Sequence, residues 1–181
     1  MIAKQANKDA YLFTGKPQVG KSTAVKKIIN TLGVESCGGF YTEEIRVQGA
    51  RMGFRLITLD GQTGLMAHRN LVSPFRIGSY GVDITCLDTF GVTAVYTALE
   101  RKKLIVIDEI GPMELFSEQF KQAVLDILAS SLPILGTIAL RPHPWLDMIK
   151  QHRRVLLYEL TVDNRDQIVR TVSDGLGGYP S

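Results

Sequence analysis

Apolar positions along this chain switch repeatedly between strand and helix spacing, and each switch marks an element boundary. Ala10-Tyr11-Leu12-Phe13-Thr14 is a short, mostly apolar run of the kind found in strands buried on both faces. After Ser22 the spacing turns helical. Ala24, Val25, Ile28, Ile29 and Leu32 share one face, Lys26, Lys27 and Asn30 point away, and Gly33 ends the run. Gly38 and Gly39 open a strand through Arg46, a turn at Gln48-Gly49 leads to a second strand from Gly53 to Leu59, and Asp60-Gly61 marks another turn. This antiparallel meander continues weakly through Leu65-Met66-Ala67-His68, and the stretch from Asn70 to Gly81 reads as a looser segment.

Val92, Val95, Tyr96 and Leu99 predict a helix, with Asp88 as its cap and Arg101, Lys102 and Lys103 at the end that favours cations. Leu104-Ile105-Val106-Ile107 is the strongest buried-strand signal in the chain. Phe120, Ala123, Val124, Ile127 and Leu128 then predict a helix from about Ser117 to Ala129. A strand from Pro133 to Ala139, a short helix from Trp145 to His152, a strand from Val155 to Leu160 and a helix from Asn164 to Leu176 complete the alternation. The pattern implies an α/β fold: a mostly parallel sheet flanked by helices, with an antiparallel strand insertion. At 181 residues there is room for one such domain, spanning 1–181.

Composition changes this picture little. With 45% hydrophobic and 22% charged residues the chain is an ordinary soluble one, and a net charge of +3 does not indicate a nucleic-acid partner, though it leaves room for a local basic groove. Cys37 and Cys86 are isolated, with neither zinc nor disulfide spacing, which fits a reducing cytoplasm. No apolar run approaches the roughly 20 residues that span a bilayer, and the N-terminus has no signal-peptide pattern. A cytoplasmic monomer with no membrane partner is the expectation.

The chemistry begins at Gly15-Lys16-Pro17-Gln18-Val19-Gly20-Lys21-Ser22, a complete phosphate-binding loop between a predicted strand and a predicted helix. Gly15 and Gly20 let backbone N–H groups approach a polyphosphate closely, Lys21 reaches its β- and γ-phosphates, and Ser22 offers a hydroxyl to Mg²⁺. The substrate class is therefore a nucleoside triphosphate held with magnesium. Asp108, at the end of the apolar strand, is the expected magnesium-side acid, because open α/β sheets bind ligands at that edge. Strand neighbours point to opposite faces, so the adjacent Glu109 is expected to serve a second task, polarising water. Asp108-x-x-Gly111 also fits the element of GTP-switch proteins whose glycine amide senses the γ-phosphate, but the Asn-Lys-x-Asp guanine reader is absent. Strict guanine selectivity is not expected.

These residues resemble the thermophile-type nucleoside-triphosphatases related to the cancer-related nucleoside-triphosphatase. The resemblance runs from Tyr11 to about Leu176. It rests on the phosphate loop, Gly38-Gly39-Phe40-Tyr41-Thr42-Glu43-Glu44, Arg51-x-Gly53-Phe54, Arg76-Ile77-Gly78-Ser79-Tyr80-Gly81-Val82, Asp108-Glu109-Ile110-Gly111-x-Met113-Glu114-Leu115, Gly136-Thr137-Ile138 and Asn164-Arg165. It implies a RecA-like P-loop NTPase fold and magnesium-dependent hydrolysis of ATP, GTP and other nucleoside triphosphates to diphosphate and phosphate. Two positions depart from the family pattern. Gln18 stands where glycine is usual, and a positive φ there costs about 1–2 kcal/mol. Pro112 stands where a basic residue is common, which removes a charge and a backbone donor.

Catalysis is expected to come from Lys21, the loop amides, Mg²⁺ and Glu109, with Arg141 as the first candidate for a transition-state arginine and Arg76 and Arg51 behind it. A solvated arginine is the plain alternative for each. His68, His143 and His152 match no metal spacing, and Trp145 and Tyr80 read as packing or stacking residues. Two other classes use the same loop: a small nucleotide or nucleoside kinase with a second acceptor pocket, and a nucleotide-driven module acting on RNA or a partner protein.

Overall fold

The computed structural model describes residues 9–101 and 103–177; Lys102 and the ends of the expected 1–181 domain lie outside the described residues. The strands are β1 (Ala10–Thr14), β2 (Cys37–Val47), β3 (Ala50–Thr58), β4 (Thr63–His68), β5 (Arg76–Ile77), β6 (Tyr80–Val82), β7 (Leu104–Ile110), β8 (Ile134–Ile138) and β9 (Val155–Glu159). They form one sheet in the order β5-β6-β4-β3-β2-β7-β8-β1-β9. From β2 to β9 neighbouring strands are parallel. From β2 outward in the other direction they are antiparallel, so the predicted meander is an extension of one sheet edge.

The helices are α1 (Lys21–Leu32), α2 (Ile84–Cys86), α3 (Thr93–Glu100), α4 (Glu118–Ala129), α5 (Pro144–Lys150) and α6 (Arg165–Leu176). Successive residues of β7 face opposite layers, which is why its apolar run is continuous. Val106 packs with Phe13, Val25 and Ile28 on the α1 and α6 side. Ile105 and Ile107 pack with Phe40, Phe120 and Val124 on the other. None of the described helices is long and apolar enough to cross a membrane.

Two expectations are corrected. The Asn70–Gly81 segment contains the β5–β6 hairpin, turning at Gly78 with φ 56°, too short for a periodicity to register. The helix assigned to an Asp88 cap begins a turn earlier: Asp83 accepts a hydrogen bond from the Cys86 amide at 3.0 Å, and a π-helical segment, Leu87–Val92, joins α2 to α3. Asp88 instead accepts from the Ser117 hydroxyl and so ties this helix to the start of α4. Ser117 in turn caps α4, accepting from the Phe120 amide at 2.9 Å.

Candidate active site

β1 runs straight into the phosphate loop, and α1 leaves it. Gly15 has φ 138°, and a Cβ there would stand 2.6 Å from the Leu160 carbonyl oxygen. Gly20 precedes α1 at φ 96°, with no side-chain cap and no acid in the first helical turn. The first amides of a 12-residue helix are thus left for an anion. Gln18 does adopt the left-handed conformation, at φ 67°, so the departure from glycine carries the expected cost of about 1–2 kcal/mol. Lys21 Nζ donates to the carbonyls of Gly15 (3.0 Å) and Lys16 (3.3 Å), which holds the ammonium at the loop.

A cleft of about 1080 Å³ opens over this loop. Gly15, Pro17, Gln18, Gly20, Lys21 and Ser22 line one wall, and Asp108, Glu109 and Arg141 line others. Lys16 and Val19 contribute backbone rather than wall: the carbonyl of Val19 accepts from Arg165 Nη1 at 3.3 Å. Asp108 is buried, its Oδ1 accepting from the Thr137 hydroxyl at 2.5 Å, while Oδ2 is buried without a partner. Burial pushes its carboxyl above the usual range, against the Thr137 hydrogen bond, the nearby Ser22 hydroxyl and the charges of Lys21 and Lys26. A buried carboxylate oxygen with no donor, beside a serine hydroxyl at a phosphate loop, fits a divalent cation. Among the described residues no cluster of three His, Cys, Asp or Glu side chains could hold a metal.

Asp108 and Glu109 do not diverge to opposite faces as strand alternation predicts. The β7–β8 ladder slips between Ile107 and Ile110, and both acids reach the same cleft. Burial, then the charge of Asp108, pushes the Glu109 carboxyl upward, with Lys21 opposing. The Gly111 amide, expected at the γ-phosphate, donates to Glu114 Oε2 at 3.1 Å inside the protein.

Arg141 is exposed at the cleft wall. Arg51 is held by Glu44 (2.8 Å) and Tyr80 (3.2 Å), and Arg76 bonds the carbonyls of Leu71 and Ser79 in the β5–β6 hairpin. Arg51 lines the same cleft as Arg141, whereas Arg76 does not. Glu43 pairs with Lys26 at 2.5 Å. The three histidines serve local turns and a cap: His68 and His152 accept from the backbone two residues on, and His143 caps α5. Trp145 packs against the core.

Two residues that the sequence reading quoted only within the family resemblance, with no role assigned, stand at the site. Arg165, at the start of α6, covers Gly20: a Cβ on that glycine would lie 3.0 Å from its Nη1. Glu114 is 5% exposed, on the 3₁₀ turn Glu114–Phe116, and burial followed by the charge of Glu109 pushes its carboxyl up to about 8. Its only sequence signal is a lone acid between Met113 and Leu115. Because the unfolded chain releases this proton near the ordinary 4.5 while the fold retains it to about 8, Glu114 removes stability as pH rises through that window. In urea unfolding between pH 5 and 8, the wild type is expected to lose stability by up to about 1.4 kcal/mol per pH unit, and Glu114→Gln is expected to flatten that fall. An unchanged slope would place Glu114 in its ordinary ionised state.

A family model described as NTPase matches residues 10–173. The nucleoside-triphosphatase THEP1 of Thermotoga sp. (strain RQ2) is 42% identical over 161 residues, covering 89% of this chain and 91% of the relative. The crystal structure of THEP1 from the hyperthermophile Aquifex aeolicus superposes with TM-score 0.82 at 37% identity, covering 90% of this chain and 96% of that one. The solution structure of a human cancer-related nucleoside triphosphatase gives 0.80 at 32% identity, covering 95% and 100%.

Proposed function

This chain belongs to the NTPase family and is a hydrolase of nucleoside triphosphates, and on that premise we propose that it acts with Mg²⁺, slowly, and with little preference among bases. The observation that carries the magnesium assignment is the unpaired Oδ2 of Asp108 beside Ser22. In this reading the loop amides and Lys21 grip the triphosphate. Ser22 and Asp108 would hold Mg²⁺, whose charge would offset that of the phosphate oxygens. Glu109 accepts a proton from water as its oxygen attacks the γ-phosphorus and the bond to the β–γ bridging oxygen breaks. Arg141, exposed at the cleft wall, would offset charge on the γ-phosphate oxygens.

Broad base preference is supported by the use of Asn164 within its own turn: it accepts from the Thr161 amide and donates to the Glu159 carbonyl. The two buried free thiols suit a reducing cytoplasm. Phosphate release from ATP, GTP, CTP and UTP tests the proposal. We expect turnover of all four within about tenfold, near 10⁻⁴ to 10⁻² per second, the range from phosphate-loop enzymes without an arginine at the γ-phosphate to those with one in the same chain. Chelation of Mg²⁺ should abolish it, and Lys21→Ala should lose nucleotide affinity. Diphosphate formation that requires an added nucleoside acceptor would make the protein a kinase instead.

A further inference from the structure

The cleft does not end at the phosphate loop. It continues past Glu109 to Glu44, Arg46, Arg51 and Phe54 on β2 and β3, which lie on the opposite side of β7 from β8 and β1. At about 4.8 Å per strand, β3 stands roughly 10 Å beyond β7, on the side away from β1 and the phosphate loop. A side pocket of about 140 Å³ opens there, sharing Phe54 and Glu109 with the cleft and walled by Met66, Ile77, Met113 and Glu114. Apolar cavities near 150 Å³ take up one benzene ring. The pocket therefore has the capacity of a single six-membered ring, with apolar walls and two carboxyl groups facing it.

Its mouth is cationic. The Arg51 guanidinium lies 5.3 Å from the Phe54 ring centroid and 5.9 Å from that of Tyr80, and Arg69 lies 5.7 Å from Tyr80. Arg46 and Arg51 share Glu44, whose carboxyl they hold below the usual range, each through a 2.8 Å bond. Two guanidiniums share one carboxylate, and Arg69 adds a third cation over Tyr80, leaving an excess of positive charge beside two aromatic rings. Buried carboxyl oxygens accept hydrogen bonds from ring N–H or amino groups, and arginines over aromatic faces suit an anion attached to a planar ring.

Resting on the hydrolase reading for the position of the triphosphate, we propose that this pocket is a second ligand site for a pyrimidine nucleoside monophosphate. The single ring enters between Phe54, Met66 and Ile77, and the phosphate meets Arg46 and Arg51. A fused purine exceeds the pocket. The ligand stands beside Glu109, on the side of the γ-phosphate that water must approach.

Equilibrium dialysis of CMP, UMP and AMP against the full chain, saturated with Mg²⁺ and a non-hydrolysable ATP analogue, tests this with the phosphate loop already filled. CMP or UMP should bind saturably and AMP roughly tenfold more weakly. Arg51→Ala should weaken pyrimidine binding by roughly ten- to a hundredfold without changing affinity for the analogue. Ile77→Phe, which fills the ring pocket and spares the arginines, should abolish it, and decides the matter if Arg51→Ala fails to fold. No saturable pyrimidine binding to the loaded protein, equal affinity in both variants, or preference for AMP overturns the second site. Loss of that site leaves phosphate release from ATP intact, whereas failure of the hydrolase reading shows as absent release irrespective of monophosphate binding.

Discussion

Glu109→Gln should lower phosphate release by about 10²- to 10⁴-fold while Mg·ATP still binds, the range expected when a positioned acid–base group is removed. Glutamine keeps the shape and a carbonyl acceptor but cannot take a proton, so it separates orientation of water from its deprotonation. Glu109 suits the role by position: it shares the cleft with Lys21, Ser22 and Asp108, yet lines the side pocket as well, on the outer side of the phosphate end. Its surroundings suit it too, since burial and Asp108 raise its carboxyl toward the working range of a base. The loss should fall in kcat with little change in KM, whereas Lys21→Ala should lose affinity, and the contrast assigns the two residues different jobs. Single-turnover phosphate release with binding measured separately checks this; wild-type turnover in Glu109→Gln would move the water-activating role elsewhere.

The parallel half of the sheet was legible because β7 and β8 are buried on both faces and read as unbroken apolar runs, and because α1 and α4 carry their apolar residues at helical spacing. The phosphate loop was legible because its glycines, lysine and serine answer to geometry that no other residue types satisfy. What stayed hidden depends on partners distant in sequence. Asp88 looks like a cap, and only the 29-residue separation to Ser117 explains its use. Arg165 reaches the loop across a separation of 146 residues, and nothing local marks it. The convergence of Asp108 and Glu109 on one cleft occurs where the β7–β8 pairing is irregular, a tertiary feature that strand alternation alone cannot give.

Arg154→Met should destabilise the fold by about 3–5 kcal/mol, a cost typical of breaking a buried ion pair from one side. At about 2–4 °C per kcal/mol for a chain of this size, Tm should fall by about 6–20 °C. Arg154 is 6% exposed, just before β9, and its guanidinium closes the floor of the molecule. It donates to the Ile127 (3.0 Å), Leu128 (3.1 Å), Ser130 (2.5 Å) and Leu132 (2.5 Å) carbonyls and pairs with Asp9 at 2.7 Å. One planar cation thus serves the C-terminal end of α4, where the helix dipole favours positive charge, the turn into β8, and the residue that precedes β1. Methionine fills much of the volume but leaves a buried carboxylate and several carbonyls without this donor. Most of the cost should come from those stranded acceptors rather than from the lost attraction. Adding Asp9→Asn to Arg154→Met should therefore recover part of the loss, and Arg154→Lys should recover less than the native fork provides. Urea midpoints for the two single variants and the double variant measure the coupling directly. Strict additivity of Asp9→Asn and Arg154→Met would mean that the pair contributes nothing beyond its separate contacts.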